Sequence, residues 1–186
     1  MDLQNKNNEN KSTRYEIITS LGKLEIELFV QQAPKTCENF LAYLEAGCYK
    51  ATSFFRIVTK NHPQQHSNAK IEVIQGGPKY GDKGHDRARM LFPLTHESTQ
   101  QTGLKHLDGS LAMGRFAIGE SYGGFFFCVG DQPELDYGGK RFSDGQGTAV
   151  FAQLRKGRGV LTQIFNCAEM HEHIENEISI ECIRSL

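Results

Sequence analysis

Two apolar runs each carry one long polar side chain, Arg56 in "SFFRIV" and Gln75 in "IEVIQGG". A guanidinium stays charged at any working pH and presents rigid N–H donors, while a side-chain amide offers both donor and acceptor. Set beside an apolar pocket, such a pair can grip a peptide carbonyl and place a cation near an amide nitrogen. A hydrogen bond donated to that nitrogen favours the twisted state, in which its lone pair has left amide resonance, over either planar ground state. Rotation about a peptide bond must overcome a barrier of about 18–20 kcal/mol set by that resonance. No covalent bond is made, so the chemistry calls for no metal and no cofactor.

Other reactive residue types lack the company they would need. "HEH" at 171–173 offers two imidazoles, but no His/Cys cluster at ligand spacing supplies a third ligand, so a solvated loop is expected. "GGPKYGDKG" at 76–84 lacks the GxxxxGK[ST] pattern and reads as a turn. Ser110 and Ser121 have no GxSxG context. Cys128 follows three phenylalanines and reads as a buried thiol. Of Phe125, Phe126 and Phe127, the two-residue period of a strand lets only one face a groove.

Regular elements have to bring Arg56 and Gln75 together. Residues 15–19 and 24–28 alternate apolar and polar around a Gly-containing turn, the pattern of a hairpin that opens an antiparallel sheet. In "APKTCENFLAYLEAGCY", Pro34 stands where a first helical residue tolerates a missing N–H. Cys37, Phe40, Leu41 and Leu44 then recur at helical spacing before Gly47 stops the helix. "SFFRIV", "IEVIQ", "GSLAM", "GFFFCVG" and "TAVFAQL" read as short strands, "RGVLTQIFNCAE" as a second helix, and "NEISIECIRSL" as a closing strand. About eight strands with two helices far apart in sequence predict a β-barrel capped by helices rather than βαβ units. Two polar inserts, 61–70 and 137–147, are rich in turn formers and fit no element.

The chain of 186 residues suits one well-cored domain, with no repeat or linker to divide it. Its 21 Lys+Arg and 22 Asp+Glu nearly cancel, so no basic excess points to nucleic acid. No apolar run approaches the roughly 20 residues of a membrane-spanning helix. Residues 1–13, polar and Asn-rich, are expected to be a disordered tail before a single domain at 14–186. That tail has no apolar signal segment, and the five scattered cysteines, with no CxxC pair, fit reduced thiols. A monomeric cytoplasmic protein is the expectation.

The ordered set "LGKLEIELF", "APKTCENFLAYLEAGCYKATSFFRIV", "VIQGG", "GSLAMGR", "GGFFFCVG", "LD" and "TAVFAQLRKG" resembles the cyclophilin family of peptidyl-prolyl cis-trans isomerases over roughly residues 14–186. The resemblance implies a mainly β fold, a closed eight-stranded antiparallel barrel capped by two α-helices, with a proline-binding groove on its outer face. It implies that Arg56 is catalytic and that Gln75 orients the substrate backbone. Phe126 would floor the proline pocket, Val73, Leu135 and Met113 would line it, and Gly114 would lie on the groove strand. The partners implied are proline-containing peptides and unfolded chains, whose folding the activity would assist.

Four positions depart from the family pattern. Glu72 stands where a pocket phenylalanine is usual, with Ile71 as its replacement, and Glu134 stands where many members have tryptophan. Thr148 takes the place of a groove histidine and Gly124 that of a glutamine. A carboxylate at Glu72 would pair with Arg56 and compete with the prolyl nitrogen. The residues therefore fit an isomerase with reduced or retuned turnover, or a proline-peptide binding module or chaperone on the same barrel. A scaffold whose two long loops contact a partner is a third reading.

Overall fold

The structure, a computed structural model, describes residues 13–64, 69–79 and 94–186. Residues 1–12 of the expected tail at 1–13 and the Gly-rich turn from residue 80 onward lie outside the described residues. Eight strands are formed by the runs that sequence periodicity marks: β1 (Arg14–Thr19), β2 (Gly22–Leu28), β3 (Thr52–Val58), β4 (Val73–Gly77), β5 (Ser110–Met113), β6 (Phe125–Cys128), β7 (Ala149–Lys156) and β8 (His173–Ser185). They close in the order β1-β2-β7-β5-β6-β4-β3-β8, with every neighbouring pair antiparallel.

Closure removes the unpaired edges an open sheet would expose, and the pleat sends alternate side chains to opposite faces. Inward go Ile17, Leu24, Ile26, Phe54, Ile74, Leu111, Phe125, Phe127 and Phe151, all fully buried in one core. Helices α1 (Pro34–Glu45) and α3 (Arg158–Phe165) add Phe40, Tyr43, Leu161 and Ile164 to that core. The N-terminus of α1 has no side-chain cap of its own. Instead the Glu97 carboxylate accepts hydrogen bonds from the N–H groups of Lys35 and Thr36 and from the Thr36 hydroxyl, satisfying orphan donors at the positive end of the helix dipole.

Three details differ from the expectation. A four-residue helix α2 (Thr99–Thr102) and a 3-10 turn at Pro133–Leu135 appear, both too short for hydrophobic periodicity to reveal. Strand β4 begins at Val73, leaving Ile71 and Glu72 outside it, and β8 begins at His173, several residues earlier than its alternation suggests. No helix among the described residues is long and apolar enough to cross a membrane, and all five cysteines are free thiols.

Candidate functional site

Strict alternation from the fully buried Phe54 would turn Arg56 into the core. A β-bulge prevents this: opposite β4, Phe54 pairs with Gly76 and Arg56 with Gln75, so Phe54 and Phe55 together face one partner residue. The extra residue resets the parity. Phe54 and Ile57 both point inward, while Arg56 turns to the outer face. The next ladders continue the rung, since Gln75 pairs with Phe126 on β6 and Phe126 with Ala112 on β5. One register line thus carries the cation, the amide and the aromatic ring.

The rung borders a groove of about 200 Å³ that Ile71, Val73, Gly114, Leu135, Phe142 and Thr148 also line. The Nη1 of Arg56 donates to Gln75 Oε1 at 2.9 Å. Its Nε and Nη2 both donate to one carboxylate oxygen of Glu172, at 3.0 and 2.5 Å. Three of the five guanidinium protons are thereby used, leaving one on each terminal nitrogen. Gln75 Nε2 in turn donates to the Tyr122 hydroxyl at 3.3 Å.

Phe126 is backed by His106, whose ring stacks on it with centroids 6.2 Å apart and planes 9° from parallel. The Nδ1 of His106 lies 2.8 Å from Asp136 Oδ1, and its Nε2 lies 2.7 Å from Thr148 Oγ1. Burial pulls the His106 pKa below its ordinary value, outweighing Asp136, so the ring is neutral. Burial also opposes ionisation of Asp136, but the hydrogen bonds from His106 hold its carboxyl below the usual range. A carboxylate can only accept, so Nδ1 carries the proton and Nε2 accepts from the Thr148 hydroxyl. Thr148 therefore offers the groove an acceptor oxygen.

The two inserts form the remaining wall. Gln64, at φ 42°, uses its whole amide: Oε1 accepts from the Ile71 N–H and from Arg141 Nη1, and Nε2 donates to the carbonyls of Thr59 and Ile71. Arg141 also reaches the Ala69 carbonyl at 3.2 Å, which ties the second insert to the first. Arg115 lies over the Phe142 ring at 4.1 Å, pairs with Asp144 and donates to the Gly147 carbonyl. Gly147 sits at φ 63°, where a Cβ would come within 2.2 Å of the Leu135 carbonyl, so no other residue fits that return. His62 accepts from the Thr59 N–H at Nδ1, so it donates through Nε2 to the Glu169 carbonyl, anchoring the loop that presents Glu172.

The structure gathers Arg56, Gln75, Phe126, Gly114, Val73, Leu135 and Thr148 around one groove. Two residues expected there stand elsewhere. Met113 is buried in the barrel core because it occupies the inward parity of β5. Glu72 turns away and pairs with Lys60 at 3.4 Å, while Ile71 fills the wall beside it. The carboxylate that meets Arg56 is Glu172, from the "HEH" expected to be a solvated loop, where nothing in the spacing points to an arginine 116 residues away. Tyr122, His106, Arg141 and Phe142 also escape sequence reading. The signal for Tyr122 was Gly124, whose missing side chain leaves room for the tyrosine ring: a Cβ there would lie 2.9 Å from it. Among the described residues, no group of three or more His, Cys, Asp or Glu could hold a metal. An apolar pocket, a clamped cation with spare donors and an amide beside it can hold a proline ring and hydrogen-bond a twisting amide.

Known proteins share both the sequence pattern and the fold. Residues 14–184 match the family described as cyclophilin type peptidyl-prolyl cis-trans isomerase/CLD. A peptidyl-prolyl cis-trans isomerase of Streptomyces antibioticus is 33% identical over 150 residues, covering 80% of this chain and 81% of the relative. Peptidyl-prolyl cis-trans isomerase B of Escherichia coli is 30% identical over 164 residues, covering 86% and 90%. The crystal structure of a cyclophilin type isomerase of Cryptosporidium parvum, 27% identical, superposes with a TM-score of 0.69 over 92% of this chain and 96% of that one. A second structure of that protein, determined in the presence of the dipeptide Ala-Pro, is 25% identical with a TM-score of 0.67 over 93% and 98%.

Proposed function

The chain belongs to the cyclophilin-type peptidyl-prolyl cis-trans isomerase family, and we propose that its isomerisation of X–Pro bonds is carried by Arg56 acting in the groove beside Gln75 and Phe126. The observation that carries this reading is the single rung on which the three side chains meet, with Arg56 clamped and two of its protons unspent. Proline enters against Phe126, Ile71, Val73 and Leu135, and removal of apolar surface from water holds the ring. The peptide on either side remains free to turn. As the amide twists, its nitrogen gains a lone pair that accepts a hydrogen bond from Arg56, an interaction absent in both planar states. Gln75 does two things: its oxygen aims the guanidinium, and it offers polar contact to the substrate backbone.

Proline-containing peptides are the ligands of the fold, and unfolded chains presenting X–Pro bonds are the substrates proposed for this protein. The five free thiols support a reducing, cytoplasmic setting. The described lining of the groove all comes from one chain, which supports action as a monomer. A protease-coupled isomerisation assay on an X–Pro tetrapeptide tests the central assignment. Arg56→Ala should lower kcat/KM by about 100-fold or more, as loss of a transition-state donor does elsewhere. Undiminished turnover in that variant would remove Arg56 from the mechanism.

A further inference from the structure

Three guanidinium groups line the groove, and they differ in what balances their charge. Arg56 is paired with Glu172, and Arg115 with both oxygens of Asp144. Arg141 has neither arrangement. Its Nη1 is fixed by neutral acceptors, Gln64 Oε1 at 2.9 Å and the Ala69 carbonyl at 3.2 Å. Among the described residues no carboxylate pairs with it, and its Nε and Nη2 have no hydrogen-bond partner. The four residues that join Gln64 to Ala69 in sequence are Gln, His, Ser and Asn, which supply no carboxylate either.

We propose that Arg141 is a specificity-determining residue that makes the groove prefer peptides bearing a carboxylate within two residues of the proline. This rests on the reading of the groove as the isomerase site. The guanidinium is held from one side, so its unspent donors form a fixed fork of the shape a carboxylate accepts. It lies beside Ile71 and Phe142, apolar surface that weakens screening. Burial, and then the nearby positive charge of Arg56, lower its pKa from the ordinary value, and the carboxylate of Glu172, already bonded to Arg56, offsets only part of that shift, consistent with a partly desolvated cation facing a like charge. A ligand carboxylate relieves that repulsion. The reach follows from size: about 200 Å³ accommodates only a few residues of extended chain at roughly 3.3 Å each, so the side chains next to the proline are the ones Arg141 can meet.

The experiment uses acetylated, amidated tetrapeptides that differ only by Glu or Gln at each position flanking proline, with isomerisation followed by NMR exchange spectroscopy so that no protease or added terminal charge intervenes. At least one position should show a Glu-over-Gln preference in kcat/KM of about fivefold, the scale of a partly buried charge-assisted bond. That ratio should fall toward one at ~0.5 M salt. Arg141→Gln should abolish the ratio whatever its absolute rate, and Arg141→Lys should retain part of it. Ratios within about twofold at every position in the parent at low salt would overturn the proposal, and so would a preference that survives Arg141→Gln. The parent's ratio and its salt dependence require no variant to fold. If the parent turns over no peptide, the isomerase reading of the groove fails separately; titration of the same peptides by chemical shift then decides, a fivefold tighter Kd for Glu supporting the role of Arg141 and equal Kd values ending it.

Discussion

On one side of the groove Arg56, Gln75 and Phe126 stand on adjacent strands in a single register, whereas on the other Ile71, Arg141 and Phe142 come from segments outside any strand, joined through the amide of Gln64. The first side inherits its geometry from barrel closure: moving one of its side chains means breaking ladder hydrogen bonds that continue around the sheet. The second side depends on a few side-chain to backbone bonds, each worth about 1 kcal/mol net when satisfied and more when one partner is left buried alone. A rigid half suits the catalytic cation, whose position relative to the twisting bond must be kept. An adjustable half suits selection among the residues that flank proline.

Removing the tie should expose that difference most strongly. Gln64→Ala deletes four hydrogen bonds at once, including those to the buried backbone of Ile71. Relief of the positive φ at this position offsets little of the loss, because alanine tolerates φ 42° no better. Stability should fall by about 2–3 kcal/mol in urea unfolding. The kinetic loss, about tenfold in kcat/KM, should lie mainly in KM, because the strand-borne half and its transition-state contact remain. A drop confined to kcat would show instead that the loops govern the cation.

The same division explains which parts could be read from sequence. All eight strands were visible, β1, β2 and β8 by alternation and the rest as short apolar runs between turn formers, and parity set Phe126 apart from its two neighbours while the resemblance placed it in the groove. Parity fails at Arg56, where the bulge at Phe55 reverses it, and only the resemblance to a family identified the residue as outward-facing. Met113 shows the converse: resemblance put it in the groove, while its place between Ala112 and Gly114 on an alternating strand sends it inward. The inserts were visible as inserts, but Gln64 meets Arg141, and Glu172 meets Arg56, through contacts far apart in sequence that carry no periodic signature.

A smaller effect is expected where the halves share a support. His106 backs Phe126 of the strand-borne half and bonds Thr148 at the margin of the second insert. Its folded pKa lies below the ordinary 6.5, so the unfolded chain takes up this proton first as pH falls. The stabilisation is therefore complete above about pH 6.5 and is lost progressively below it, with Asp136 adding a further loss below its own ordinary value of 3.8. Thermal melts between pH 7.5 and pH 5 should show Tm falling, with a shallower slope in His106→Gln. A parent Tm that rises on acidification would contradict the neutral ring.

The smallest effects should separate two carboxylates that the sequence makes easy to confuse. Glu72, next in the chain to Ile71 and Val73 of the groove, pairs with a solvent-exposed Lys60. Glu172, distant in sequence, holds two nitrogens of Arg56. Glutamine at 172 can still accept those two hydrogen bonds, so Arg56 keeps its aim while the compensating negative charge disappears. The donors facing the substrate then act with more of the arginine's charge, and kcat/KM should rise about threefold in Glu172→Gln, less than the ~1.4 kcal/mol of a tenfold change. Glu72→Gln removes only an exposed pair and should stay within about twofold of the parent. If Glu72→Gln raises turnover and Glu172→Gln does not, the carboxylate that restrains Arg56 during catalysis comes from the segment between the first insert and β4, and that segment reaches further into the rigid half than the clamp on Arg56 indicates.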